Sequence, residues 1–234
     1  VLLPLWLCTV SMAVACLVCF LCSINAVLNG KSIVRRVRIL VIASYLGSIG
    51  VCYATLQGVY PSAIVEFVKL GTAGNTTSTT TRNDAIALVA LGGIAVIFIM
   101  EMTEFFNTSQ FFLVRNVARN CHAGSAATVL AAPATSTLTL LASSLIVVAV
   151  VYPSYRFCGF FGLALTAVGA TLPILPVVII SFFDPLAKNG RIINQIGHMT
   201  HEVIDVAERV ADKTSILSAM VHGYSSVSCF FGSL

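Results

Sequence analysis

Charge is the scarcest ingredient of this chain. Asp, Glu, Lys and Arg make up 9% of its 234 residues, against ~25% in ordinary soluble domains, too few to cover a water-facing surface. The scarcity is also uneven. No charged residue occurs in Val1–Val27, Ile39–Ile64, Ala123–Tyr155, Phe157–Phe183 or Thr214–Leu234, and Asp84–Met100 is charged only at its first residue, with Glu101 and Glu104 just beyond. The net charge of +4 is small and dispersed, which excludes a nucleic-acid-binding surface. Val1–Val27 has no basic n-region and outruns the ~7–15 residues of a signal-peptide core, so it reads as a true span. No internal repeat occurs.

What is present is apolar sequence in membrane-length pieces. Mean hydropathy is +0.97, and a hydrocarbon core about 30 Å thick needs roughly 20 apolar residues in helix. The reading is an all-α polytopic transmembrane bundle, one domain over 1–234 with about six spans: 1–27, 39–60, 84–106, 123–151, 158–183 and 214–234. Basic residues set its expected orientation. Lys31, Arg35, Arg36, Arg38, Arg115, Arg119, Lys188, Arg191, Arg209 and Lys213 fall in the first, third and fifth loops, against Lys69, Arg82 and Arg156 in the others. The odd loops are expected on the cytosolic or matrix side and both termini opposite. The chain begins at Val1 without methionine, as a mature form after presequence removal or a piece of a longer polypeptide would. The former points to an organellar inner membrane, the mitochondrial one first.

Between the spans, the Asn75–Thr81 tract is almost entirely Thr, Ser and Asn and is expected to be a mobile loop. Asn75-Thr76-Thr77 is also a glycosylation triplet, of use only on the secretory route. Phe105, Phe106, Phe111 and Phe112 suit the headgroup boundary as ring anchors. The fourth span carries Ser125, Thr128, Thr135, Ser136, Thr137, Thr139, Ser143 and Ser144; small and hydroxyl residues let helices approach closely, so it is expected as a packed inner helix. Pro173 and Pro176 should kink the fifth span. In the last loop, Val203, Val206, Ala207 and Val210 form the expected apolar stripe of an amphipathic helix. Asp205 and Arg209 support it at i,i+4, and it continues into the sixth span.

Few residues offer chemistry. Glu101 and Glu104 are candidate ion contacts, because carboxylates near a bilayer are often functional; water at the helix end is the plainer reading. His198, His201 and Asp205 would share a face if one helix held all three, although histidines on a solvated loop helix are commoner. Cys16, Cys19 and Cys22 have cluster-like spacing but lie in an uncharged span, where cysteine behaves as a small apolar residue. His222 in the last span is a candidate proton relay, set against a neutral ring bonded to a neighbouring helix. No metal or other cofactor is expected.

Several segments together resemble the membrane-integral, ion-pumping pyrophosphatases. Thr103-Glu-Phe-Phe-Asn-Thr-Ser109 is similar to that family's T-E-Y-Y-T-S, and Cys121 to Leu130 to its C-R-T-G-A-A-T-N-V-I. Phe160 to Gly169 is similar to the glycine-patterned helix before D-A-Y-G-P-I-x-D-N-A-G-G, and His222-Gly-Tyr224 to a K-G-Y at the end of the next helix. The resemblance implies roughly helices seven to twelve of a sixteen-helix fold. In that family, carboxylates and lysines bind magnesium pyrophosphate above an ion gate.

The motif positions are eroded. Aligned on Pro185, the first aspartate falls on Ser181, the glycine on Asp184 and the second aspartate on Lys188. Asn189 is kept, and the paired glycines fall on Arg191 and Ile192. The family's G-N-T-T-x-A region reads Thr214 to Ala219, with Ser218 within it, and its lysine before Gly-Tyr is His222. The other acidic motifs of the family do not occur in this sequence. The resemblance therefore implies a non-catalytic, pyrophosphatase-like accessory subunit of a larger membrane complex, with other membrane subunits and lipid as partners and no small-molecule substrate. The alternatives are a fragment or split half of a divergent proton- or sodium-pumping pyrophosphatase, and an unrelated six-helix carrier. The orientation is open to direct test. Single cysteines placed at Thr79 and Gln195 in a cysteine-free background should label from opposite sides of intact vesicles, and equal labelling would overturn it.

Overall fold

The computed structural model describes residues 2–28, 33–59, 65–69, 76–80, 82–108 and 111–233. Seven α-helices account for nearly all of these: α1 Leu2–Leu28, α2 Ile33–Val59, α3 Arg82–Asn107, α4 Phe112–Asn120, α5 Ser125–Thr171, α6 Ile174–Ile196 and α7 His201–Ser233. α2, α3 and α5 are long and apolar enough to cross a membrane, and Leu5–Leu21 is a shorter apolar helix. The fold is an all-α membrane bundle. Helices suit this solvent because they satisfy every backbone donor and acceptor internally.

One small sheet interrupts the pattern. β1 (Val65–Lys69) pairs antiparallel with β2 (Thr76–Thr80), Val65 opposite Thr80 and Lys69 opposite Thr76. The threonine tract is thus largely a strand rather than a mobile loop: its polarity bars it from a core, but β-branched side chains favour extended backbone. Asn75, the acceptor of the glycosylation triplet, and Thr81 lie outside the described residues.

The helix boundaries differ from expectation where glycine and proline act together. A straight helix as long as α5, 47 residues, would extend about 70 Å, more than twice the hydrocarbon core. It does not run straight. Gly159 adopts φ 61°, ψ −143°, a conformation open to glycine and poor for other residues. Beyond it the chain turns sharply enough that Gly162 lies against the carbonyl of Ser154. A straight helix would hold those two residues about 12 Å apart. The expected break at 152–157 is therefore helical, and the turn falls at Gly159. The second break falls where Pro173 predicts it, between α5 and α6. Pro176 sits in the first turn of α6, where a missing N–H costs little.

The core forms around α3. Val96, Ile99 and Met100 are fully buried with Val147, Val177, Leu217, Met220 and Tyr224; Leu88 and Val89 pack with Tyr45, Leu165 and Leu172. Backbones approach closely here. A Cβ on Gly92 would collide with the Thr166 carbonyl, one on Gly169 with the Val89 carbonyl, and one on Gly93 with the Tyr45 ring. Tyr45 donates its hydroxyl to the Ala90 carbonyl at 2.7 Å, locking α2 onto the same stretch.

Two expectations about packing are overturned. The first leg of α5 is peripheral rather than inner: in the most apolar window of that helix only 11% of residues are buried. Its hydroxyls bond to carbonyls of their own helix, as Thr135 does to Ala132 and Ser144 to Leu141, so they create no demand for a neighbour. In α7, Val203 and Val206 are exposed, while Ile204, Ala207 and Val210 are half-buried and Ala211 is buried. The inward stripe is rotated by about one residue from the predicted one.

Replacing Gly169 by Ala should lower stability by about 1–3 kcal/mol, the usual cost of overpacking. Gly50, whose added Cβ would meet nothing within 4 Å, is the control. Thermal unfolding in mild detergent should shift down for Gly169→Ala and not for Gly50→Ala; equal behaviour would refute the close approach.

Candidate functional site

Charged side chains near one end of the bundle make two separate pairings. Arg38, in the second turn of α2, donates from Nε to Glu101 at 2.9 Å and from a terminal nitrogen to Glu104 at 2.8 Å. Glu101 and Glu104 lie three apart, on one face near the end of α3, so a single guanidinium fork reaches both. Glu104 is the more enclosed, its side chain 12% exposed against 35% for Glu101. The two candidate ion-contact residues are thus brought together, with a cation from the chain already seated between them. A bound metal or sodium would have to displace Arg38. The sequence signal for this partner is the position of Arg38 at the edge of a span, level with two carboxylates leaving the next one.

The second pairing lies on α6 and takes up the eroded motif. Asp184 is buried at 6% exposure, and its Oδ2 accepts from Lys188 Nζ at 2.8 Å, one turn along. Its Oδ1 is buried without a hydrogen-bond partner among the described residues. Ser181 donates its hydroxyl back to the Val178 carbonyl at 2.7 Å. Pro185 removes the N–H that would have bonded the Ser181 carbonyl. Asn189 is exposed, Arg191 half-buried. These positions hold one carboxylate, already paired with an ammonium. Magnesium pyrophosphate needs several hard oxygen ligands around the metal, and this donor set does not fit it.

Ser218 and His222 stand one turn apart on α7. His222 is exposed and borders a cleft of about 610 Å³ between the end of α3, α4, the first leg of α5 and α7. Beside it, a Cβ on Gly223 would collide with the Thr103 hydroxyl, and Tyr224 is buried in the core. Gly223-Tyr224 therefore serves helix packing, while His222 faces open space. The phenylalanine anchors do meet: the Phe111 ring lies 4.7 Å from Phe105 and 5.2 Å from Phe106, pinning the α3–α4 corner. Phe112 points outward.

The histidine face of the last loop is not assembled. His198 has φ 46° in the turn before α7, and the helix begins only at His201, so His198 cannot share its register with His201 and Asp205. Cys16 is exposed and Cys19 buried; the side chain of Cys22 lies outside those described. Among the described residues no group of three or more His, Cys, Asp or Glu could hold a metal ion.

Helical architecture, apolar surface and paired charges together define an integral membrane protein of the polytopic helical class. Its family follows from comparison: the family model for inorganic H+ pyrophosphatase matches residues 1–234. The chain belongs to that family.

The Asp184–Lys188 pair yields a stability test. Lys188→Met should leave a buried carboxylate unpaired and lower stability by about 1–3 kcal/mol. Adding Asp184→Leu should recover most of that loss, since removing both partners together is close to neutral. Thermal melts of the two variants decide it; an unchanged single variant would show that the pair contributes nothing.

Proposed function

We propose that this chain is a non-catalytic, pyrophosphatase-like membrane subunit that packs within a larger assembly of integral membrane helices. The observation that carries the reading is Lys188 on Asp184. Where the family's motif places a second aspartate, this chain has an ammonium, and it neutralises the one carboxylate left on that stretch of α6. The Ser181 hydroxyl, at the first aspartate position, is bound to its own helix. Packing features survive where chemical ones do not: Gly92, Gly169 and Gly223 sit at close helix crossings.

The exposed flank of α5 supports the partner half of the proposal. Val129, Leu130, Leu138, Leu140, Leu141 and Leu145 all stand open, interleaved with small hydroxyl residues whose faces suit helix–helix contact. The same proposal places the protein in a mitochondrial or other organellar inner membrane, with the basic loops on the matrix side and both termini opposite. A second reading has one finding in its favour. Because the family match covers residues 1–234, these helices could equally be one part of a divergent proton- or sodium-pumping pyrophosphatase whose carboxylates lie on other helices.

Native electrophoresis of membranes in mild detergent, followed by mass spectrometry, separates the readings. The accessory reading expects a large co-migrating complex and, on calorimetric titration of the purified material with magnesium pyrophosphate, no binding heat. Micromolar binding by the complex would favour the pump; a stable transporting monomer would overturn the accessory role.

A further inference from the structure

One short helix carries charge that no described carboxylate answers. α4 hangs between two spans: four residues link it to α3 and four link it to α5, and four residues reach at most about 14 Å. Its start is held closer still. The Phe111 ring packs on Phe105 and Phe106, within one turn of Glu104. Glu104 and its partner Arg38 mark where α3 leaves the hydrocarbon, because charges are costly deeper in. Chain connectivity therefore puts α4 at the membrane boundary.

The helix has two unlike faces. Leu113, Val114, Val117 and Ala118 turn toward α5 and α7 across the cleft. Phe112, Arg115, Asn116 and Arg119, at i, i+3, i+4 and i+7, make up the opposite face, and all four are exposed. Neither arginine pairs with a carboxylate among the described residues. No Asp or Glu occurs between Glu104 and Asp184, and those two are held by Arg38 and Lys188. Phe112, on the same face as both arginines, is 67% exposed. Water suits the arginines and not the ring; hydrocarbon suits the ring and not the arginines. The headgroup layer suits both, since aromatic rings collect there and arginine stems lie along apolar groups while their heads stay polar.

We propose that this outward face of α4 docks on anionic phospholipid headgroups, with the Phe112 ring among the upper acyl groups and the guanidinium groups of Arg115 and Arg119 on lipid phosphates. The planar fork of an arginine matches phosphate oxygens with two parallel hydrogen bonds. Phosphatidylcholine also carries a phosphate, but its choline cancels the charge, whereas this face brings two cations and no carboxylate. A basic residue at an anionic membrane surface favours binding by about fivefold, so the pair gives a preference of roughly 30-fold. The cleft on the other side of α4 takes no part. An acidic segment of a partner protein would answer the arginines but would not account for an open aromatic ring beside them. The membrane surface accounts for both, whether the chain is a subunit or part of a pump.

The test places a benzophenone photo-crosslinker at position 112, aromatic for aromatic, in the full chain with whatever co-purifies. The protein is reconstituted in vesicles of equal phosphatidylglycerol and phosphatidylcholine, and adducts are identified by mass. Phosphatidylglycerol adducts should exceed phosphatidylcholine adducts by roughly 30-fold at low salt, and the excess should shrink as salt screens the charges. Arg115→Gln with Arg119→Gln, both on an exposed surface, should bring the ratio close to one while helical circular dichroism stays unchanged. Equal capture of the two lipids with the arginines intact overturns the proposal, as does a ratio indifferent to the double substitution. Irradiation in the native membrane supplies the remaining outcome: capture of a polypeptide there, or of nothing, would assign this face to a partner protein or to water and sink the lipid reading.

Discussion

In hydrocarbon, apolar side chains gain nothing by leaving their solvent, so helices cohere only where backbones come close enough for dense contact or where polar groups bond across them. α3 is where this bundle meets that requirement. Gly92 and Gly93 bring it against Thr166 and Gly169 of α5 and against the ring of Tyr45 on α2, and Thr103 meets Gly223 of α7. The Tyr45 hydroxyl and the Arg38 fork tie α2 to it at two levels. A side chain at any of these glycines would push apart helices whose cohesion rests on that close approach and on a few polar bonds. The turn at Gly159 belongs to the same arrangement, since only by turning there can both legs of α5 contribute to one core.

The ion pairs show what became of the polar residues in this family member. Arg38 satisfies two carboxylates on a neighbouring helix, and Lys188 satisfies a buried one on its own. Each arrangement makes a charge tolerable at the edge of an apolar solvent, and each uses up a ligand that a cation would otherwise have taken. A carboxylate holding an ammonium at 2.8 Å is a structural element first.

The surface is as informative as the core. α5 presents an open apolar flank, α4 an apolar underside with unpaired arginines above, and α7 continues past the span. At 33 residues α7 is about 50 Å long, well beyond the hydrocarbon thickness, and its buried residues begin only at Ala211. Apolar solvent and water therefore meet different parts of one molecule, and the hydroxyl residues of α5 do not separate them as their polarity suggests. Once a hydroxyl has bonded the carbonyl one turn back, it behaves toward its neighbours much as a methyl group does.

The solvent, the helical class, the break at Pro173, the long last helix and the family were all legible in the residues. Each follows from local composition or from order along the chain, which hydropathy and proline geometry read directly. The tertiary structure alone decided the rest. It set the turn at Gly159 rather than at 152–157, put α5 at the periphery, paired the threonine tract with Val65–Lys69, rotated the inward stripe of α7 and left His198 outside the helix. It also joined Arg38 to Glu101 and Glu104 across some 63 residues of chain. These depend on which face of each helix another helix covers. In an apolar solvent the periodicity of a span does not specify that face, because lipid and protein interior favour the same side chains.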